Sequence, residues 1–329
     1  MAQGRRKEQQ PRAEGPQNFA DRICGRVLEA RTRVCIGLDP DLARFPRELT
    51  AAYGLDRSAP DPSWAASCRR AAACIVEFNR RVLEAAGGFA AAMKPQCAYY
   101  EVYGPAGMAA LQQTAALIRE ACVPVILDGK RNDIASTAAR YAQAYLGADS
   151  GPRAAAIPAD ALTINAYLGS DGVAPFLDCC REFGRGLFVL VRTSNPSGGE
   201  IQEFPEGGAQ TVARRMAGLV DGWGADLAGA CGYSAVGAVV GATRPEAVAE
   251  LRRLMPRALF LMPGFGAQGG AARDIAGALD SRGLGALVSA SRSVLYPVPP
   301  ETPAAEFFDA VARAAQDMRD AIEAVLPRA

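Results

Sequence analysis

Eight short apolar runs, separated by longer amphipathic stretches, constrain this chain more than any other feature. They cover residues 34–39, 91–96, 124–130, 161–166, 187–193, 236–241, 259–263 and 286–291. Each run is continuously apolar rather than alternating with period two. That is the pattern of parallel strands buried on both faces. The intervening segments read as helices. Residues 63–86 carry Cys74, Val76 and Phe78 together with Arg69, Arg70 and Arg80, and the segment 107–121 is stopped by Val123-Pro124. Further helices are expected at 132–146, 171–183, 210–228, 245–255, 271–279 and 304–326. An extra helix at 18–29 precedes the first strand. Strict strand–helix alternation, eight times over, predicts an α/β fold: a single (β/α)8 TIM barrel of parallel strands with an extra N-terminal helix. A doubly wound open sheet is the alternative. No internal repeat is visible. Two stretches, 40–62 and 195–208, read as insertions leaving C-terminal strand ends, where barrel enzymes keep substrate lids.

The 329 residues are half hydrophobic, enough to bury a full core. A formal net charge of +1 aims no strong field at nucleic acid or an anionic membrane, so any anion site must be local. No apolar run approaches the roughly 18 residues of a membrane span. Residues 1–17, MAQGRRKEQQPRAEGPQ, hold no apolar core of a secretory signal and read as a disordered basic tail. The barrel domain is then 18–329, and the cytoplasm is the default compartment. Nine cysteines, an odd number without a CxxC pair, read as buried free thiols.

Two absences narrow the chemistry. The chain has no histidine, which excludes His-containing triads and His-built zinc sites. Only three of its 36 basic residues are lysines. Lysine sheds a proton when desolvated and arginine does not, so a lysine inside an apolar stretch calls for a reason. Lys7 lies in the tail; Lys94 and Lys130 lie at strand ends.

In a barrel, polar side chains at C-terminal strand ends converge on one site. Reading those ends in order gives Asp39, Lys94, Asp128 with Lys130, Thr163 with Asn165, Arg192 to Asn195, a glycine-rich loop, and Ser291-Arg292. Structural pairing at the barrel mouth explains any one of these. It does not explain five strands doing so together, because charges at apolar strand ends are expensive unless paired. Side-chain alternation places Asp128 and Lys130 on one face. Lys94 on the neighbouring strand reaches Asp128, and Asp133 is expected in the first turn of the next helix. The result is an alternating Lys–Asp–Lys–Asp array.

The segment DGKRNDI, 128–134, resembles the D-x-K-x-x-D-I motif of the orotidine 5′-phosphate decarboxylase family. Further pieces resemble that family in order: VCIGLDP at 34–40, MKPQ at 93–96, VRTSNPSG at 191–198, PGFGAQGG at 263–270, and Ser291-Arg292. The likeness runs from about residue 18 to 326 and is nearest to the longer bacterial branch. The resemblance implies decarboxylation of orotidine 5′-monophosphate to UMP, in pyrimidine biosynthesis, without cofactor or metal. It implies that Asp39 and Lys94 hold ribose hydroxyls, and that Lys94 orients Asp128 beside the substrate carboxylate. Lys130 would protonate carbon 6 of the ring. Ser194 and Gln268 would meet the base, and Gln268 and Arg292 the phosphate, with Gly264, Gly266 and Ser291 around it. Thr163 and Asn165 complete the implied substrate site. The resemblance also implies a homodimer in which Asp133 and Thr137 enter the partner's site.

The chemistry is sound without the name. Decarboxylation leaves electrons on a ring carbon, and an ammonium placed there stabilises the transition state more than the ground state. The same ammonium is a proton donor. The alternative is a metal-dependent sugar-phosphate decarboxylase or aldol-type synthase on the same barrel. A Schiff-base aldolase through Lys130 is disfavoured by the flanking carboxylates. A non-catalytic phosphate-binding protein would not need the Lys–Asp array. GFGAQG, 264–269, fits GxGxxG, but it follows the seventh strand. A phosphate cradle fits that position better than a dinucleotide site.

Overall fold

The structure is a computed structural model and describes residues 16–55, 63–205, 210–242, 245–264 and 272–326. All eight expected strands form: β1 Val34–Leu38, β2 Ala92–Pro95, β3 Ile126–Arg131, β4 Ala161–Ile164, β5 Gly186–Arg192, β6 Ser234–Val240, β7 Ala258–Pro263 and β8 Ala286–Ala290. Every ladder is parallel, in the order β2-β1-β8-β7-β6-β5-β4-β3. The ring closes between β2 and β3 through isolated parallel bridges, Met93 with Val125 and Gln96 with Asp128. The Met93 amide donates to the Pro124 carbonyl at 2.9 Å and the Cys97 amide to the Asp128 carbonyl at 3.2 Å. The sheet is therefore a barrel, not the open doubly wound alternative.

Helices cover the outside: α1 Phe19–Glu29, α2 Arg47–Ala52, α3 Trp64–Ala86, α4 Ala98–Glu101, α5 Gly104–Glu120, α6 Ala135–Leu146, α7 Ser170–Phe183, α8 Gly199–Gln202, α9 Val212–Trp223, α10 Pro245–Leu254, α11 Arg292–Leu295 and α12 Ala304–Glu323. Short polar side chains start several of them. Asn18, Ser63 and Thr211 accept hydrogen bonds from the amides of Ala20, Ala66 and Arg214. Each such cap satisfies an orphan amide and is worth about 1 kcal/mol.

Some boundaries move. The segment expected at 271–279 is a 3-10 helix over Ala272–Ala278. The helix expected at 132–146 starts only at Ala135, after extended Ile134. Asp133 thus stands before the helix, not in its first turn, and its Oδ1 accepts from the Ile134 amide at 2.8 Å. The 40–62 insertion holds a 3-10 turn at Leu42–Arg44 and then α2, while 56–62 fall outside the described residues. Phe45 from this insertion stacks on Phe78 of α3, centroids 3.8 Å apart. Tyr296, Phe307 and Phe308 extend the aromatic cluster. Burying a phenylalanine contributes about 2–3 kcal/mol, so the insertion is anchored on the barrel. Seven of the nine cysteines are buried free thiols; Cys122 is exposed and Cys231 half-buried.

Candidate active site

Three charges meet at the mouth where β2 and β3 join. Lys94 Nζ donates to Asp128 Oδ2 at 2.8 Å, and Lys130 Nζ donates to Asp128 Oδ1 at 2.6 Å. Lys94 and Asp128 are almost fully enclosed, whereas the Lys130 side chain is half exposed. Burial alone would push the Asp128 carboxyl up. The charges of Lys94 and Lys130 and their hydrogen bonds outweigh it, and hold the carboxyl far below its usual range. Burial likewise works against the Lys94 ammonium, but Asp128 and Asp39 beside it raise its pKa above the ordinary lysine value.

The third support comes from β4. The Thr163 hydroxyl donates to Asp128 Oδ1 at 2.8 Å and accepts from the Lys130 amide at 3.0 Å. Thr163 is buried and fully engaged, so it fixes the array from below. Lys130 itself has φ +44°, a left-handed backbone conformation uncommon outside glycine. The register of β3 against β4 shifts between Leu127 and Arg131. Strand alternation is therefore only part of what aims Lys130; the kinked strand end does the rest. Conformations of this kind persist where the surroundings over-determine them, commonly at functional sites.

Two connected cavities open beside the array, sharing Lys94, Asp128, Pro263 and Ser289 as walls. One, of about 210 Å³, is walled by Leu190, Val239 and Leu261, with Lys130, Thr163, Ser194 and Asn195 at its edge. The other, of about 200 Å³, is polar and is lined by Asp39, Gln96, Gly264, Ser291 and Arg292. A largely apolar slot beside a polar chamber suits a ring carrying a charged, hydroxylated substituent. Asp39 Oδ1 is buried with no hydrogen-bond partner among the described residues. A buried carboxylate oxygen left so is an acceptor awaiting a donor. Its backbone is held by Tyr296, whose hydroxyl donates to the Asp39 carbonyl at 2.8 Å and accepts from the Asp41 amide at 2.7 Å. Arg292 is exposed at the start of α11, on the polar chamber.

Two glycines permit this packing. A Cβ on Gly37 would lie 2.0 Å from Ser291 Oγ, and one on Gly241 would lie 3.0 Å from the Ser194 backbone. The backbone must be bare at both positions for the flanking loops to close in.

Of the residues expected from sequence, Asp39, Lys94, Asp128, Lys130, Thr163, Ser194, Gly264, Ser291 and Arg292 line these cavities. Asn165 lies next door, in a space that also touches Lys130, and its Oδ1 accepts from the Tyr167 amide at 3.1 Å. Asp133 and Thr137 line neither cavity of their own chain. Gly266 and Gln268 fall outside the described residues. Sequence reading did not single out Gln96 or Ser289 as lining residues, and named Thr193 only within the run Arg192 to Asn195. Gln96 follows Lys94 by two on the same strand face, and Ser289 is a polar interruption of an apolar run; both were detectable signals.

The family model described as "Orotidine 5'-phosphate decarboxylase / HUMPS family" matches residues 32–307. An orotidine 5′-phosphate decarboxylase of Rhodopirellula baltica is 41% identical over 278 residues, covering 84% of this chain and 88% of that protein. One of Deinococcus radiodurans is 42% identical over 278 residues, covering 84% and 89%. The solved structure of Leishmania donovani OMP decarboxylase superposes with a TM-score of 0.68 at 30% identity, covering 94% of this chain and all of that one.

Proposed function

The chain belongs to the orotidine 5′-phosphate decarboxylase / HUMPS family, and from that premise we propose that it decarboxylates orotidine 5′-monophosphate to UMP with its own lysines and aspartates. The Lys94–Asp128–Lys130 array carries this reading. With the pyrimidine in the apolar slot and the ribose phosphate in the polar chamber, the substrate carboxylate lies against Asp128. The bond from carbon 6 to the carboxylate breaks, carbon dioxide departs, and the electron pair stays on carbon 6. The Lys130 ammonium faces that growing charge and stabilises it where it develops. It then delivers a proton to carbon 6 and is reprotonated from solvent. Lys94 keeps Asp128 ionised and aimed, and offers its remaining N–H groups with Asp39 to the ribose hydroxyls. Arg292 meets the phosphate, and binding energy gathered there organises the reacting end. Gly264, Gly266, Ser291 and Gln268 belong to the same phosphate and base contacts, with Ser194, Thr163 and Asn165 at the ring end.

In this reading two copies pair, and each lends Asp133 and Thr137 to the other's site. The segment is suited to it: Ile134 is 47% exposed, and Tyr167 and Leu168 are 78% and 45% exposed. The barrel unit is taken as 18–329, with 1–17 ahead of it; of these, 1–15 and 327–329 lie outside the described residues. Among the described residues no helix is long and apolar enough to cross a membrane. We place the enzyme in the cytoplasm, with its nucleotide substrate.

The alternative metal-dependent enzyme needs ligands gathered at strand ends. Among the described residues no three His, Cys, Asp or Glu side chains are so gathered. The assay is the absorbance change of orotidylate, run after exhaustive dialysis against EDTA. Stoichiometric UMP is expected. No turnover, or turnover restored only by a divalent ion, would overturn the reading.

A further inference from the structure

The loop after β5 contains a hydrogen-bond relay that orients an amide beside the apolar slot. It begins at a group whose direction is fixed: a backbone N–H only donates. The Thr193 amide donates to Gln202 Oε1 at 2.9 Å, so the oxygen of the Gln202 side chain must face Thr193 N. The other end of that amide, Nε2, then donates to Thr193 Oγ1 at 2.8 Å. With one lone pair so occupied, the Thr193 hydroxyl has a single proton to give. Asn195 Oδ1 lies 2.6 Å away and Gln202 Oε1 3.3 Å, so the proton goes to Asn195. The Asn195 oxygen is therefore turned toward Thr193, and its Nδ2 is turned away.

That Nδ2 makes no hydrogen bond among the described residues, and Asn195 lines the slot with Lys130 and Ser194. It also lines the space beyond, toward Asn165 and Tyr167. The relay's frame is firm. Arg192, buried, donates to the Thr193 carbonyl at 2.6 Å and to Glu203 Oε1 at 2.6 Å; with the Thr193–Gln202 bond, residues 192–193 and 202–203 are joined at two points. Three successive hydrogen bonds set this orientation, at an exposed side chain on the rim of the slot.

We infer that Asn195 is a further substrate-contacting residue, its Nδ2 donating to a carbonyl oxygen of the pyrimidine ring, and that Gln202 is a positioning residue acting through Thr193. This rests on the pyrimidine nucleotide reading above. It adds a ring contact to those of Ser194 and Gln268. An amide donor so fixed favours a ring that presents an oxygen acceptor and opposes one that presents a donor.

The test is binding of UMP and of ribose 5-phosphate, which lacks the ring, to the full-length protein. Asn195→Ala should weaken UMP about tenfold, the worth of one hydrogen bond, and leave ribose 5-phosphate within twofold. Asn195→Asp, equal in size, should weaken UMP further, because it sets a carboxylate against the carbonyl. Gln202→Glu still accepts from the Thr193 amide but cannot donate to its hydroxyl. It captures the hydroxyl proton and frees the Asn195 amide to turn. It should weaken UMP several-fold without touching the ring, and add nothing to Asn195→Ala in the double variant. Asn195→Ala binding UMP within twofold of wild type would overturn the inference. So would equal weakening of both ligands, or full additivity of the two substitutions. A wild-type protein that binds UMP no better than ribose 5-phosphate would instead sink the pyrimidine reading itself.

Discussion

The two ends of the barrel both bring cations out of water, and they do so in opposite ways. At the floor, Arg252 of α10 donates to the carbonyls of Met255, Ala258 and Gly285 at 2.7–2.9 Å, and its guanidinium lies 3.8 Å from the centre of the Phe260 ring. Burial pulls it down to about 10, so it stays charged at neutral pH. It faces main-chain oxygen and an aromatic ring, which no ligand can displace. At the mouth, Lys94 and Lys130 face a carboxylate, and the carboxylate faces a cavity. A cation satisfied by backbone is a fastener. Cations that share one aspartate beside an open slot retain donors and field for something else. The residue types agree: arginine, which keeps its proton, holds the floor, and two of the chain's three lysines stand at the mouth.

The sharpest way to break this contrast is Lys130→Ala. Turnover should fall by at least about three powers of ten, roughly 4 kcal/mol of transition-state stabilisation, while the unfolding free energy moves by less than about 1 kcal/mol. Steady-state kinetics beside denaturant titration reads both. Turnover within tenfold of wild type would remove Lys130 from the chemistry.

Next in size is a recovery. If Asp133 serves the partner's site, subunit exchange between inactive Lys130→Ala and Asp133→Ala proteins makes heterodimers with one intact site. Random mixing gives half heterodimers, so activity should climb from near zero to about a quarter of wild type. Exchange verified by mass, with no activity regained, would leave Asp133 to its own chain.

Arg252→Met tests the floor. It should lower the unfolding free energy by about 2–4 kcal/mol, having removed charge-assisted bonds to several buried carbonyls, and leave kcat/KM within about twofold. A matching loss of activity at unchanged stability would erase the distinction between the ends.

The smallest effect is one of pH. Asp128 has a folded pKa well below its ordinary 3.8, so its contribution is complete above that value and is lost as pH falls below it. Between pH 5 and 3 wild type should lose about 1 kcal/mol more stability than Asp128→Asn, whose neutral side chain does not titrate there. Parallel acid profiles would mean that the lysines do not hold the carboxylate down.

The strands were legible because burial on both faces leaves each one a continuous apolar word, and the helices because their ends carry caps and prolines. The charged residues of the mouth were legible for the converse reason: Asp39, Lys94, Asp128 and Arg292 interrupt that pattern at strand ends. What escaped depends on backbone path rather than residue type. No propensity announces that Lys130 sits at positive φ, that the helix after it waits until Ala135, or that Gln202 folds back nine residues onto Thr193. Thr163 shows the limit well. Its identity and position were plain, but the partners of its hydroxyl were set by how far β4 rides along β3.

The closure of the barrel has a mechanical consequence. Seven junctions of the ring are hydrogen-bonded ladders, while β2 and β3 meet through two isolated bridges and the Lys94–Asp128 pair that spans them. The clasp of the hoop is thus made partly of the groups to which the proposed chemistry is assigned. Any breathing that parts these two strands lifts the lysine from the aspartate and silences the site before the rest of the barrel has loosened. A nucleotide bound as proposed, in contact with both strands at once, would hold the hoop shut. Amide exchange along Ala92–Pro95 and Ile126–Arg131 then serves as a gauge of occupancy, slowing as the site fills.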